Sequence, residues 1–324
     1  MAKYLVTGTA GFIASRTVEL LLDQGHEVVG VDNLNDYYDV RLKEWRLESL
    51  QENVGFTFLK LDIEDIEGLR QVFHEAGPFD AVLNLAARAG VRYSLVHPRI
   101  YLSTNTLGTL NVLECMREFG CPKLVLASSS SLYAGQNMPF TEDLPVNEPG
   151  SPYAASKKAA ELLAFTYQKL HGLDVAIVRY FTVFGPAGRP DMCPFRFIRW
   201  IAEGDAVKLH GDGSQKRDFT YVDDIARGTI AAIRPLGYEI INLGGGREPV
   251  SLNDLIESAG NLLGRKANVD RKPFHEADVK ETRADIAKAN TLLDWRPEVS
   301  FEEGLRKTVD WYLANRHWAK ELEI

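Results

Sequence analysis

Cysteine is scarce in this sequence of 324 residues, which holds only Cys115, Cys121 and Cys193. The number is odd and no two cysteines have metal or redox spacing, so we expect no disulfide framework and a reducing compartment, the cytoplasm. Long apolar runs are also missing. No stretch approaches ~20 apolar residues, which argues against a membrane-spanning helix. The first residues already follow a strand pattern, which argues against a signal peptide.

A surplus of basic residues is missing as well. With 37 Lys and Arg against 45 Asp and Glu, the formal net charge is −8. Because a nucleic-acid interface needs a basic face to neutralise phosphates, this balance argues against a general nucleic-acid binder. It leaves room for single anionic ligands, which respond to local charge. The seven histidines are scattered without metal-ligand spacing, so we expect no metal site.

Short apolar runs alternate with helical patterns through the first half of the chain. Six runs have the continuous apolar character of strands buried on both faces: 4–6, 27–31, 56–59, 81–83, 124–126 and 175–178. Helical patterns lie near 12–24, 41–52, 64–75, 100–119 and 153–171. The alternation predicts right-handed βαβ units and hence an α/β fold, with a Rossmann-like, doubly wound parallel sheet.

The pattern changes beyond about residue 180, where glycine and proline become dense. Helical patterns near 195–203, 251–263, 284–293 and 301–317 are separated there by loops and short strands. A chain of this length suits one large or two moderate domains. We expect a Rossmann domain over 1–180, to which a segment near 218–245 returns, and a smaller α/β substrate-binding domain formed mainly by 181–324.

A glycine motif connects the first strand to the first helix. Its spacing is Gly8-x-x-Gly11-x-x-Ala14, and glycines here let the turn tighten so that the backbone approaches a pyrophosphate at the helix N-terminus. Asp32 ends the second strand, where a carboxylate accepts hydrogen bonds from adenosine ribose hydroxyls and repels a 2′-phosphate. The motif therefore favours NAD over NADP.

Tyr153 and Lys157 follow a run of serines, Ser128 to Ser131, that ends the fifth strand. Their i, i+4 spacing places both side chains on one face of a helix. A nearby ammonium and the positive nicotinamide ring would lower the pKa of the tyrosine toward working pH. The spacing alone is a frequent accident on helices. After a nucleotide motif and a serine run, it predicts a base that removes a proton from an alcohol as hydride leaves.

Taken together, the motifs resemble those of the extended short-chain dehydrogenase/reductase family, in its group of nucleotide-sugar epimerases and dehydratases. The resemblance covers nearly the whole chain. It rests on Gly8, Gly11, Phe12, Ile13, Asp32, Asn33, Asp62, Ile63, Leu85, Ala86, Ala87, Asn105, the serine run, Tyr153, Lys157 and the segment 217–224. It implies that NAD is bound by the residues from Gly8 to Asn105 in this list, together with Tyr153 and Lys157. It also implies that the substrate is a UDP-sugar and that the helices near 100–119 and 153–171 form a homodimer.

The resemblance also implies roles for single residues. The catalytic serine of the family falls on Ser129, by position relative to Tyr133. Asp62 and Ile63 would flank the adenine, and Asn105 would lie near the nicotinamide. On the substrate side, Arg217 matches an arginine that grips the nucleotide diphosphate, and Asp278 matches an acid near the uridine ribose.

The residues after Ser129 bear on the reaction. The family's dehydratases carry an Asp-Glu pair there and its decarboxylases typically a Glu, whereas this chain has Ser130 and Ser131. Return of hydride to the opposite face of a 4-keto sugar needs no further acid. The resemblance therefore favours 4-epimerisation over dehydration or decarboxylation.

The segment 179–192 resembles the UDP-uronate 4-epimerases and suggests how a C6 carboxylate is held. Arg189 offers a planar charged fork, and Thr182, Ser130 and Ser131 offer hydroxyls. A 4-keto uronate is a β-keto acid, so a firm hold that keeps the C5–C6 bond out of line with the ketone would prevent loss of CO₂. The alternative is that Arg189 only pairs with Asp191 to cap its loop.

The leading hypothesis is NAD-dependent 4-epimerisation of a UDP-hexuronate, UDP-glucuronate to UDP-galacturonate, through a 4-keto intermediate. A 4-epimerase of a neutral or N-acetylated UDP-hexose, a UDP-glucuronate decarboxylase and a non-catalytic NAD-binding regulator remain alternatives. Whether Arg88 or Arg92 contacts a ligand also stays open at this stage.

Overall fold

The computed structural model describes residues 1–274 and 279–323. Its strands, numbered along the chain, are β1 (Lys3–Thr7), β2 (Glu27–Asp32), β3 (Phe56–Lys60), β4 (Ala81–Asn84), β5 (Lys123–Ser129), β6 (Asp174–Tyr180), β7 (Thr182–Phe184), β8 (Ala206–His210), β9 (Lys216–Arg217), β10 (Phe219–Tyr221), β11 (Tyr238–Leu243), β12 (Val250–Ser251) and β13 (Asn268–Lys272). Seven of them form one sheet in the order β11-β6-β5-β4-β1-β2-β3. Every pairing in this sheet is parallel.

The helices lie between these strands and after the last one. They are α1 (Phe12–Asp23), α2 (Val40–Gln51), α3 (Ile66–Ala76), α4 (Val91–Val96), α5 (Pro98–Tyr101), α6 (Gly108–Phe119), α7 (Pro152–His171), α8 (Cys193–Glu203), α9 (Val222–Ala231), α10 (Leu252–Leu263), α11 (Ala287–Leu293), α12 (Phe301–Ala314) and α13 (Arg316–Ala319). None of the helices in the described part of the chain is long and apolar enough to cross a membrane.

The sheet is buried on both faces because successive side chains of each strand point to opposite sides. In β5, Val125 packs in a core with residues of α1, α2, α9 and α11. Its neighbours Leu124 and Leu126 belong to the opposite core, with residues of α3, α6 and α7. The predicted α/β fold with a doubly wound parallel sheet is therefore confirmed, and all six predicted strands are present.

The seventh strand, β11, was not among the predicted apolar runs. Glu239 and Asn242 interrupt its sequence, so it lacks the continuous apolar character of the other six. It pairs with β6 from Tyr238 opposite Val175 onward and forms one edge of the sheet.

Two predicted helices are interrupted. The segment near 100–119 consists of α5, a π-helix (Leu102–Leu107) and α6. Within the π turn, Asn105 directs its side chain to the loop after β4 and its carbonyl accepts a hydrogen bond from Thr109. Near the C-terminus α12 stops at Ala314, and Asn315 separates it from α13. The predicted helix near 284–293 begins only at Ala287.

A second core joins the C-terminal helices to α1 and α2. Phe195 of α8, Leu255 of α10 and Leu305 of α12 pack there with Phe12 of α1 and Leu42 of α2. The short strands pair outside the main sheet, β7 with β10, β8 with β13 and β9 with β12. Since one apolar core contains residues from both parts, the C-terminal elements are held directly against α1 and α2.

Candidate active site

A cleft of about 1150 Å³ lies beyond the carboxyl ends of the parallel strands, where ligands bind in doubly wound folds. Nineteen of the predicted site residues line it: Gly8, Gly11, Phe12, Ile13, Asp32, Asn33, Asp62, Ile63, Leu85, Ala86, Ala87, Ser129, Ser130, Ser131, Tyr153, Lys157, Thr182, Arg189 and Arg217. Asp278 lies outside the described residues. Among the described residues, no group of three or more His, Cys, Asp or Glu could hold a metal ion.

The turn after β1 has no room for a side chain at either of its two glycines. Gly8 has a φ of +74°, and a Cβ there would lie 2.7 Å from the backbone of Ala86. A Cβ at Gly11 would lie 2.8 Å from the carbonyl oxygen of Gly8. Gly11 precedes α1 without a side-chain cap, so the first N–H groups of the helix stay available at the cleft. This arrangement fits a pyrophosphate group.

The carboxylates of Asp32 and Asp62 also line the cleft. Asp32 ends β2, and its oxygens accept hydrogen bonds from the backbone N–H of Ala10 (3.1 Å) and Leu34 (2.8 Å). Asn33 donates its side-chain amide to Asp62 at 2.6 Å. Each carboxylate has about four lone-pair sites, so both keep acceptor capacity for ribose hydroxyls.

Asn105 lies below the surface of the cleft. It is 1% exposed and does not line the cleft, whereas its neighbour Thr104 does. Its side-chain amide donates to the carbonyl of Arg88 and to Ser156 Oγ, both at 2.9 Å, and its Oδ1 accepts from the Arg88 N–H at 2.8 Å. Asn105 therefore fixes the loop after β4 without lining the cleft itself, and its place near the nicotinamide stays a prediction.

Ser129 and Tyr153 both line the cleft. Ser129 is the last residue of β5, and its Oγ lies 3.1 Å from both the N–H and the Oγ of Ser131. Ser151 caps α7 by accepting from the Ala154 N–H at 3.1 Å, which places Tyr153 in the first turn. Burial raises the pKa of Tyr153, while its hydrogen bond with Ser129 and the charge of Arg189 oppose that rise.

Lys157 lies one helical turn beyond Tyr153 and points to the sheet. Its Nζ donates to the carbonyl of Ala127 in β5 at 2.8 Å. Burial lowers the pKa of Lys157 to about 8, and the carboxylate of Glu161 opposes this shift. Lys157 is not among the groups that perturb Tyr153. Burial outweighs the hydrogen bond and the charge that act on the phenol, and the lowering of its pKa by the nicotinamide ring stays a prediction.

The sequence reasoning missed a buried ionic network below these residues. Glu161, a further turn along α7, accepts from Ser128 Oγ at 2.6 Å and from two nitrogens of Arg179 at 2.9 and 2.8 Å. The third arm of Arg179 donates to the Tyr133 hydroxyl at 2.7 Å. Two signals could have revealed it: the i+4 step from Lys157 to Glu161, and an arginine inside the apolar strand β6.

Arg189, which also lines the cleft, already has partners. Its Nε and Nη2 donate to the Asp191 carboxylate at 3.0 and 2.6 Å, and Nη2 also contacts the Ala89 carbonyl at 3.3 Å. The guanidinium lies 5.4 Å from the centre of the Tyr37 ring. The ion pair of the alternative interpretation is thus present, in a residue that also lines the cleft.

Several further cations line this cleft. Arg217 donates to the carbonyl of Lys216 at 2.8 Å, and Arg88 to Asn35 Oδ1 at 3.1 Å. Arg92 also lines the cleft, as does Arg196, which the sequence reasoning did not single out. A chain of net negative charge therefore concentrates arginines where an anionic ligand would lie.

Comparison with known proteins agrees with this geometry. The model of the NAD dependent epimerase/dehydratase family matches residues 4–244. The chain is 58% identical to the UDP-glucuronate 4-epimerase of Thermodesulfobacterium geofontis over 324 residues, 100% of both chains. It is 41% identical to Protein CapI of Staphylococcus aureus, over 96% of this chain and 98% of that one.

Solved structures give the same result. The UDP-glucuronic acid 4-epimerase of Bacillus cereus, in complex with UDP-glucuronic acid and NAD, has a TM-score of 0.91 and 36% identity, with 97% of this chain and 99% of that chain covered. The UDP-glucose 4-epimerase of Thermotoga maritima, with UDP-glucose, has a TM-score of 0.88 and 31% identity at the same coverage. By its motifs, its fold and these relatives, the chain belongs to the NAD dependent epimerase/dehydratase family.

Proposed function

We propose that this protein is an isomerase, a UDP-glucuronate 4-epimerase that uses NAD and forms UDP-galacturonate through a 4-keto intermediate. One observation carries the proposal: Tyr153, Ser129, Thr182 and Arg189 line one cleft with the glycine turn after β1. The relative in Thermodesulfobacterium geofontis, which is 58% identical over the full length, supports the same reaction.

NAD fits the part of the cleft that is lined by Gly8, Gly11 and Asp32. Gly8 and Gly11 allow the tight turn after β1, and the uncapped start of α1 suits the pyrophosphate. We assign the remaining contacts to the cleft residues of this part: Phe12, Ile13, Asp32, Asn33, Asp62, Ile63, Leu85, Ala86, Ala87, Tyr153 and Lys157. Bound NAD would accept the hydride from C4 of the sugar and later return it.

In this mechanism Tyr153 Oη removes the proton of the C4 hydroxyl. Ser129 Oγ hydrogen-bonds the same hydroxyl and fixes its direction. Lys157 holds the start of α7 against β5 through the carbonyl of Ala127 and places a positive charge beside the cofactor. After the 4-keto sugar has turned its other face, Tyr153 returns the proton to the new C4 hydroxyl.

The sugar end of the cleft supports an acidic substrate. We assign the C6 carboxylate to Arg189, Thr182, Ser130 and Ser131. Because Asp191 fixes the Arg189 guanidinium in one orientation, the arginine can hold the carboxylate at a constant angle to the 4-ketone. Arg217 would hold the diphosphate. Asp278, assigned to the uridine ribose, lies outside the described residues.

One observation favours a second candidate, the 4-epimerisation of a neutral UDP-hexose. Asp191 already neutralises the charge of Arg189. If this ion pair persists when the sugar is bound, the site has less attraction for a carboxylate. Side-by-side turnover of UDP-glucose and UDP-glucuronate separates the two candidates.

The decisive experiment is incubation of the holoenzyme with UDP-glucuronate, followed by proton NMR of the sugar products. Appearance of UDP-galacturonate supports the proposal. A UDP-pentose would instead indicate a decarboxylase. If neither acidic nor neutral UDP-sugars react while NAD stays bound, the protein is a non-catalytic NAD-binding regulator and the proposal fails.

We also propose a homodimer through α5, α6 and α7, with the π-helix between them. Apolar side chains are exposed along these elements, among them Leu102, Leu107, Leu162 and Phe165, and a second copy would cover them. Light scattering that gives the mass of a monomer at micromolar concentration would contradict this.

A division of the chain into a cofactor-binding and a substrate-binding part follows from these assignments. We propose that 1–180, with the returning strand β11, forms the NAD-binding domain and that 181–324 mainly binds substrate. The buried thiols of Cys115 and Cys121 agree with a cytoplasmic location, since a reducing compartment keeps such thiols reduced.

A further inference from the structure

Arg46 connects two segments that are far apart in the sequence. It lies in α2, is 4% exposed and does not line the cleft. Its Nη1 donates to the carbonyl of Ala10, in the turn after β1, at 2.9 Å. Its Nε and Nη2 both donate to the carbonyl of Ala187, at 3.2 and 2.6 Å. One guanidinium therefore joins the cofactor turn to the loop that follows β7.

That loop has a conformation that its own sequence does not favour. Ala187 has a φ of +52°, which is uncommon for a residue with a side chain. Gly185 has a φ of +153°, which glycine tolerates, so the unfavourable position is Ala187. Such backbone persists where surrounding contacts hold it. The two hydrogen bonds from Arg46 to Ala187 provide that hold.

Arg189 lies two residues beyond Ala187. Its guanidinium stands over the ring of Tyr37, 5.4 Å from its centre. The next residue, Tyr38, accepts a hydrogen bond from Arg46 Nη1 at 2.7 Å. Arg46 thus supports Arg189 from two directions, through the loop backbone at Ala187 and through the tyrosine pair.

We propose that Arg46 is a positioning residue that sets the orientation of Arg189 from the position of the cofactor turn. The inference rests on the proposed role of Arg189 in holding the C6 carboxylate. It makes the uronate end of the site depend on the conformation of the nucleotide end, although Arg46 itself touches neither ligand.

The test compares Arg46→Met and Arg46→Lys holoenzymes with the wild type. We expect Arg46→Met to raise the KM for UDP-glucuronate about tenfold or more, as expected for loss of charge-assisted hydrogen bonds. The Kd of UDP alone should stay within about twofold, because Arg217 is untouched. Lysine cannot reproduce the planar fork, so Arg46→Lys should recover only part of the loss. Arg41→Met is the matched control, since Arg41 lies on the same helix but pairs with Asp39 at its exposed end.

A double-mutant cycle separates positioning from general support of the fold. In an Arg189→Ala background, Arg46→Met should produce no further rise in KM, because the residue through which it acts is gone. Additive effects, or equal weakening of UDP and UDP-glucuronate, would overturn the proposal. Failure of the wild type to convert UDP-glucuronate would instead contradict the proposed function.

A second variant covers the case in which Arg46→Met does not fold. Tyr38→Phe removes one acceptor of the same guanidinium and keeps the ring. A smaller rise in KM for UDP-glucuronate, again absent without Arg189, supports the proposal. An unchanged KM, or one that rises equally in the Arg189→Ala background, contradicts it.

Discussion

Glu161 and Arg179 form a bidentate ion pair in which each side chain is only 1% exposed. The pair stands between α7, which carries Tyr153 and Lys157, and the ends of β5 and β6. Removing one partner of such a pair leaves the other charged and buried, which is far more costly than losing a surface pair. The packing below Tyr153 and Lys157 should therefore be sensitive to replacement of one carboxylate oxygen of Glu161.

Glu161→Gln should therefore lower the free energy of unfolding by about 3–5 kcal/mol, because Arg179 loses its counter-charge and Ser128 a charged acceptor. Urea unfolding measures this change. Glu67→Gln is the control: Glu67 pairs with Arg70 at 2.6 Å on the surface, and its loss should cost less than about 1 kcal/mol. Equal costs for the two variants would contradict the prediction.

Gly8→Ala should abolish cofactor retention. The new Cβ would meet the backbone of Ala86 at 2.7 Å, so the turn must move away from the proposed pyrophosphate site. The measurement is the NAD content of the purified protein after heat release. Gly120→Ala offers a matched control, because Gly120 also has a positive φ, +70°, but has no atom within 4 Å of the added Cβ. Its NAD content should equal that of the wild type.

Tyr153→Phe should reduce kcat by about 10²–10⁴-fold, the usual contribution of a positioned base. The Kd of UDP should hardly change, since the phenyl ring keeps the shape of the site. Turnover of UDP-glucuronate and UDP titration measure the two effects. Tyr238→Phe, in the edge strand β11, is a control that should leave kcat unaffected, and a similar loss in both variants would speak against the assignment.

The raised pKa of Tyr153 predicts the direction of the pH profile. A base must be deprotonated to act, so kcat/KM should rise with pH through the pKa of this phenol. The hydrogen bond from Ser129 opposes the rise in pKa, and its removal in Ser129→Ala should shift the rising limb to higher pH. A limb that stays in place or moves to lower pH would exclude this coupling.

Arg189→Ala should raise the KM for UDP-glucuronate and release a UDP-pentose, because the C6 carboxylate of the 4-keto intermediate is no longer held out of line with the ketone. Turnover of UDP-glucose should change less, since it has no carboxylate. NMR of the products measures both effects. Wild-type uronate affinity with no pentose would show that Arg189 only pairs with Asp191.

The sequence by itself determined whatever depends on near neighbours. The apolar runs predicted six of the seven central strands, because a strand buried on both faces must be apolar throughout. The spacing of Gly8 and Gly11 predicted a nucleotide-binding turn, and that of Tyr153 and Lys157 predicted a shared helix face, because the turn and the helical period are local properties. The strand β11 was not predicted as an apolar run because it contains polar residues, whose hydrogen-bond and ion-pair partners the sequence does not reveal.

Only the tertiary structure decided the contacts between distant segments. It turned Asn105 away from the cleft, directed Lys157 to the carbonyl of Ala127 and joined Arg46 to Ala187, 141 residues away. Such contacts depend on where the ends of strands and helices meet after packing. Local periodicity determines which residues face the interior, whereas the burial of their charges and donors selects the partners they find there.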